Sequence, residues 1–112
     1  MTATAQDFSI TGGDDADLTV TVTEGGSAKN LAGASARWVL YSLTTGETLI
    51  EKTTDAGIAI TSAAGGILTV SLNAADTVAM GGAFGHECEV TDSGGNKSTV
   101  TKGTATISRG FA

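Results

Sequence analysis

The sole histidine and the sole cysteine of this chain, the residue types most able to do chemistry, stand two positions apart as His86 and Cys88, between Glu87 and Glu89. Alternate residues of a strand point to one side, so a strand here presents an imidazole and a thiol together. As metal ligands they supply two of the about four donors that structural zinc requires, and no second Cys/His group exists to supply the rest. As a nucleophile, Cys88 needs a lowered pKa, which the flanking carboxylates oppose. Both therefore read as strand residues of the core or its boundary, the cysteine as a small buried apolar side chain. Asp14-Asp15-Ala16-Asp17 offers carboxylate oxygens to calcium, but it lacks the ligand spacing and closing glutamate of an EF-hand loop and reads as an acidic turn. Gly94-Gly95-Asn96-Lys97-Ser98 lacks the glycine spacing and following helix of a phosphate loop and reads as a hairpin turn. No pair of titratable groups makes an acid/base arrangement. No catalytic, cofactor-binding or metal-ligating residue is assigned, and the chain reads as no enzyme.

The elements that would carry these residues are short alternating runs closed by glycine- or aspartate-containing turns. Leu18-Thr19-Val20-Thr21-Val22-Thr23 is the clearest, and Leu68-Thr69-Val70-Ser71-Leu72 repeats it about fifty residues on. A period of two buries one face and wets the other. Strands are expected over 7–11, 17–24, 36–43, 48–54, 67–72, 83–92 and 97–108, with a short edge segment over 58–60. The last strand is expected to kink at Gly103, since a glycine inside a strand often marks a bulge. Leu18, Val20, Val22, Ala36, Trp38 and Leu40 should point inward, as should Leu49 or Ile50, with Leu31 tucked beneath. Arg37, Val39 and Tyr41 should line an outer face. Asn73 can cap a short helix near 74–80. Turn signals spaced in this way predict an all-β, antiparallel β-sandwich of about seven strands. Residues 1–6 read as a flexible N-terminal arm, 7–108 as the domain and 109–112 as a short C-terminal tail.

With 112 residues there is room for a single core. Sixteen glycines and no proline suit strands joined by tight turns, and five aromatic residues leave the core aliphatic and thin. A net charge of −6 argues against nucleic acid, whose phosphates need a basic surface. The apolar runs fall far short of the roughly twenty residues of a membrane span. The start has neither the basic region nor the apolar stretch of a signal peptide, so synthesis and folding in a cytoplasm are expected. A lone cysteine agrees with a reducing compartment.

Asn30-Leu31-Ala32-Gly33-Ala34 ahead of an apolar strand resembles a signature of immunoglobulin-like modules in tailed-phage structural proteins. Further pieces are similar to the same pattern: Asp55-Ala56-Gly57-Ile58, Gly66–Leu72, Ala74-Ala75-Asp76-Thr77, Glu87–Asp92 before a glycine hairpin, and Lys102–Ile107 as a closing strand. The likeness spans residues 8–108 and resembles the N-terminal module of baseplate upper proteins and small tail, neck and head proteins. It implies an immunoglobulin-like sandwich that acts as a connector, with no catalytic residues and no cofactor. Phe84 and His86 depart from it, since such strands often carry tyrosines there, and a histidine would have to replace a tyrosine hydroxyl that closes a loop.

The resulting expectation is a structural virion protein: a tail, neck or baseplate accessory, or a capsid decoration subunit. Its expected partners are other virion proteins and copies of itself, without nucleic acid, membrane or small-molecule substrate. Candidate partner contacts are Val39 and Tyr41 on the outer strand face, where exposed apolar residues mark a contact surface, and Phe111 in the C-terminal tail. Tyr41 lying under a loop and Phe111 folding back on its own domain are equally open readings. The alternative function is a carbohydrate- or cell-surface-binding immunoglobulin-like module, which predicts aromatic residues on the loops; these loops hold glycine, alanine, serine and threonine instead.

Overall fold

The alternating runs form strands. The computed structural model describes residues 4–110 and contains β1 (Thr4–Ala5), β2 (Phe8–Thr11), β3 (Ala16–Thr21), β4 (Thr23–Glu24), β5 (Ser27–Ala28) and β6 (Ser35–Tyr41). These are followed by β7 (Thr48–Thr54), β8 (Gly57–Ser62), β9 (Ile67–Leu72), α1 (Ala74–Thr77), β10 (Gly82–Thr91) and β11 (Lys97–Ser108). The main sheet runs β1-β11-β10-β6-β7-β8-β9-β3, with β2 also on β11 and β4-β5 as a separate hairpin. It curls until it is nearly closed into a barrel, with β3 at one end of the order and β1 at the other. The all-β class follows directly.

The inward residues are those that alternation selects. Leu18, Val20, Trp38, Leu40, Leu68, Val70, Leu72, Cys88, Val90 and Ile107 are buried together with Val22 and Leu31, and Ile50 rather than Leu49 takes the inward place on β7. Apolar burial of about 25 cal/mol per Å² makes this aliphatic layer, built around a single tryptophan, the main stabilising feature.

Several expectations need correction. Among the described residues the strands number eleven rather than about seven, and not all pair antiparallel: β1 and β2 run parallel to β11, and β7 meets β8 in parallel over only two residue pairs. The expected second strand breaks after Thr21, because Gly25-Gly26 turns its end back as the β4–β5 hairpin, both glycines having positive φ. The helix spans Ala74–Thr77 instead of extending to residue 80. Thr77 is buried there and its Oγ1 accepts from Gly13 N–H (3.1 Å), while the chain turns on through Met80 N–H to Thr77 O (2.9 Å).

The kink expected at Gly103 lies elsewhere. The β10–β11 register slips between Cys88–Thr101 and Glu89–Thr99, so Val100 is the extra residue of a bulge, and Val100 and Thr101 are both buried. Gly103 serves a close backbone approach: a Cβ there would run into Gln6 O and come within 2.7 Å of Asp7 Oδ1.

Candidate functional site

Strands β6 and β10 lie side by side at the middle of the larger surface, and their two faces do different things. On the inner face Trp38 pairs in register with Cys88 and Leu40 with His86. The indole Nε1–H of Trp38 donates to His86 Nδ1 (3.1 Å). An indole nitrogen can only donate, so Nδ1 is unprotonated and the ring proton sits on Nε2, which donates to the backbone carbonyl of Gln6 (2.5 Å). Phe8 packs edge-on to the imidazole, with ring centroids 4.9 Å apart. Burial holds the His86 pKa below the usual histidine value, against smaller opposing effects of the Gln6 carbonyl, Asp7 and Glu87. His86 thus ties the Gln6 segment to the inner face through Nε2.

The Gln6–Asp7 segment is tied on three sides. Gln6 N–H donates to Lys102 O (3.0 Å), Gln6 Nε2 donates to Thr19 O (3.1 Å) on β3, and Asp7 Oδ1 accepts from Thr104 N–H (2.8 Å). Residues 4–6, read from sequence as part of an arm, therefore run along β11, and Gln6 bridges the seam between the two ends of the curled sheet. Sequence reasoning did not find Gln6 as His86's partner; the bare glycine at 103, opposite His86 in the register, was its one trace.

Cys88 lies on the same inner face, and burial followed by the Glu89 carboxylate pushes its thiol up to about 12. A thiol so placed is not a nucleophile at neutral pH. Asp15, from the acidic turn, accepts from Ala74 N–H (2.8 Å) and so satisfies a free donor at the start of α1. Asp92 Oδ1 accepts from Gly94 and Asn96 N–H (2.9 and 3.0 Å), which shapes the β10–β11 hairpin. Asp15 of the acidic turn thus caps a helix start, and Gly94 and Asn96 lie in a hairpin turn held by Asp92.

The outer face is the candidate contact surface. Val39 and Tyr41 are half-buried there, and the Tyr41 ring lies across Gly85 on β10, occupying the space a side chain at 85 would need. The Tyr41 ring thus reaches from β6 over the backbone of β10. Phe111 lies outside the described residues. Charged side chains lie beside Val39: Arg37 pairs with Glu51, and Lys102 Nζ stands 3.9 Å from Glu87. At one end of the face Ser35, Arg37, Thr53, Glu89, Thr91 and Lys97 line a shallow depression of about 290 Å³. Leu43 and Leu49 are exposed on the β6–β7 hairpin, whose turn is closed by Ser42 N–H to Glu47 O (2.9 Å). No protein-family model matches the chain, and no curated protein matches it.

Proposed function

We propose that this chain is a structural subunit of a tailed-phage virion, working through protein–protein contacts on an immunoglobulin-like sandwich. The sandwich reading draws on connectivity. Between β11 and β3 the curled sheet is most thinly paired where β7 and β8 share two residue pairs, and dividing it there leaves β1/β2-β11-β10-β6-β7 against β8-β9-β3. A buried tryptophan on β6 beside a cysteine on β10 is the core arrangement of such sandwiches, here with valine and leucine on β3 where antibody domains place the second cysteine. The virion reading rests on the resemblance over residues 8–108.

The observation that carries the contact function is the outer face of β6 and β10. Val39 and Tyr41 stand half-covered on β6, with partly exposed charges beside them on the sheet, such as Arg37 at 50% and Lys102 at 60%. An apolar centre with a polar rim is the anatomy of a protein interface. The test is quantitative mass spectrometry of purified virions against the major capsid protein. A fixed stoichiometric ratio supports a virion subunit; absence from virions overturns it.

A carbohydrate- or cell-surface-binding module has one observation in its favour: the depression at the end of this face is lined with hydroxyl, guanidinium and carboxylate groups that can hydrogen-bond a sugar. A glycan array distinguishes the two readings, since the contact reading expects no glycan retained.

A further inference from the structure

We infer that the outer face of β7-β6-β10-β11 is a self-complementary surface on which a second copy of this chain docks, with the two-fold axis running along the strands between β6 and β10. This deepens the contact reading above by naming the surface and the partner, and it rests on that reading's contact part alone.

The inference begins with where the charge is. Arg37, Lys97 and Lys102 face outward here with Glu51, Glu87 and Glu89, so this face is neutral. The chain has six bases and twelve acids, which leaves three bases against nine acids for everything else. The whole excess of −6 therefore lies off this face. Two copies repel one another in most orientations, and this surface is where they approach without that cost.

The charges also alternate strand by strand. On this face β7 carries Glu51, β6 carries Arg37, β10 carries Glu87 and Glu89, and β11 carries Lys97 and Lys102. In-register neighbours place Glu51, Val39, Glu87 and Lys102 in one row and Thr53, Arg37, Glu89 and Thr99 in the next. A two-fold axis along the strands lays β7 of one copy over β11 of the other and β6 over β10. Every charged strand then faces one of opposite sign: Glu51 over Lys102 and Arg37 over Glu89. A two-fold axis across the strands would instead put β10 over β10 and β11 over β11, acid on acid and base on base. Interfaces of this symmetry use one patch twice, so only the first arrangement suits this face.

Tyr41 fits the same axis. Its ring leans from β6 onto Gly85 of β10, towards the line between those strands, so two copies bring their tyrosine rings together beside the axis. A four-strand face of seven residues measures roughly 20 by 23 Å. That is less than the about 800 Å² per partner of a stable complex, so the dimer is weak when free and gains from the high local concentration of an assembly.

The test is sedimentation of the full chain at rising concentration, comparing wild type with Arg37→Glu, Glu89→Arg and the double variant, each first checked for an unchanged melting transition. Wild type should self-associate. Each single reversal should weaken association about tenfold or more, and the double reversal should restore it to within about threefold. A chain that stays monomeric at millimolar concentration, a dimer indifferent to the single reversals, or a double reversal without rescue each overturns the proposal. A dimer with this signature in a chain absent from virions supports the face and overturns only the virion reading.

Discussion

The two faces of β6 and β10 are made by the same residues in alternation, yet they solve opposite problems. Inside, Trp38 and His86 are fully buried and their polar atoms are paired, the indole to the imidazole and the imidazole to the Gln6 carbonyl. Among the described residues no buried side-chain nitrogen or oxygen lacks a partner. Outside, Arg37, Glu87 and Lys102 are half-exposed or nearly so and form ion pairs that water can replace. Polar groups in the interior are costly when unpaired, so the inner face fixes the fold. The outer charges are worth little to stability and remain available for contacts.

The largest expected effect separates the faces most clearly. His86→Ala removes a buried ring and leaves both the Trp38 N–H and the Gln6 carbonyl without partners. A core truncation with two unsatisfied groups should cost about 4 kcal/mol, read as a lowered urea midpoint. A loss below about 1 kcal/mol would mean that the inner cluster is not what anchors residues 6–8.

Acid should act on the inner face before the outer one. Burial holds His86 below its ordinary value of 6.5, so as pH falls past that value the unfolded chain takes up a proton that the folded chain refuses. Stability is therefore complete above about pH 6.5 and declines below it, levelling off only under the folded pKa. Protonation at Nδ1 would set a second donor against the Trp38 N–H. The carboxylates act in a separate window. Asp92, held down first by the Asn96 N–H, and Asp76, where burial is outweighed by the Lys52 and Asn73 N–H contacts together, lose their contribution as pH falls through the ordinary carboxylate range near 4. Wild type should lose unfolding free energy between pH 7 and 5.5, whereas His86→Phe should hold a flat profile over that interval. Equal slopes would assign the effect to another group.

Much of this division was legible in the alternation itself. Ala36, Trp38 and Leu40 inward with Arg37, Val39 and Tyr41 outward follows from a period of two, and the bounds of β7, β9 and β11 follow from their flanking turns. What alternation cannot show is a contact across eighty positions, such as the Gln6 carbonyl on His86, because a backbone acceptor has no residue type. Nor can it show the lysine column. Lys97 and Lys102 are an odd number of residues apart and would fall on opposite faces of a regular strand; the bulge at Val100 brings both outward. The outer charge pattern thus depends on an irregularity that no local propensity announces. The virion reading still rests on resemblance.

Two glycines let the comparison be sharpened by adding one methyl group to each face. At Gly103 the new Cβ meets the backbone carbonyl of Gln6, which is fixed by hydrogen bonds on both sides. At Gly85 it meets only the far end of the Tyr41 ring, which can swing into solvent. Gly103→Ala should cost about 2 kcal/mol, as overpacking against immovable backbone does. Gly85→Ala should cost less than about 1 kcal/mol while raising the exposure of Tyr41, measured by its ultraviolet difference spectrum. Equal costs would mean that Tyr41 is held as rigidly as the inner cluster, and the outer face would lose its character as an adaptable surface.

The smallest stability effect is the most discriminating. Arg37 and Glu51 are each about half exposed, at 50% and 49%, so their ion pair is screened by water and salt. Arg37→Ala and Glu51→Ala should each shift unfolding free energy by less than about 0.5 kcal/mol, and a double-mutant cycle should give a coupling no larger. A coupling above about 1.5 kcal/mol would make the pair part of the fold's own support. A small coupling alongside a clear loss of self-association in Arg37→Ala would separate the two roles within one side chain: nearly neutral for folding, yet required where one copy meets another.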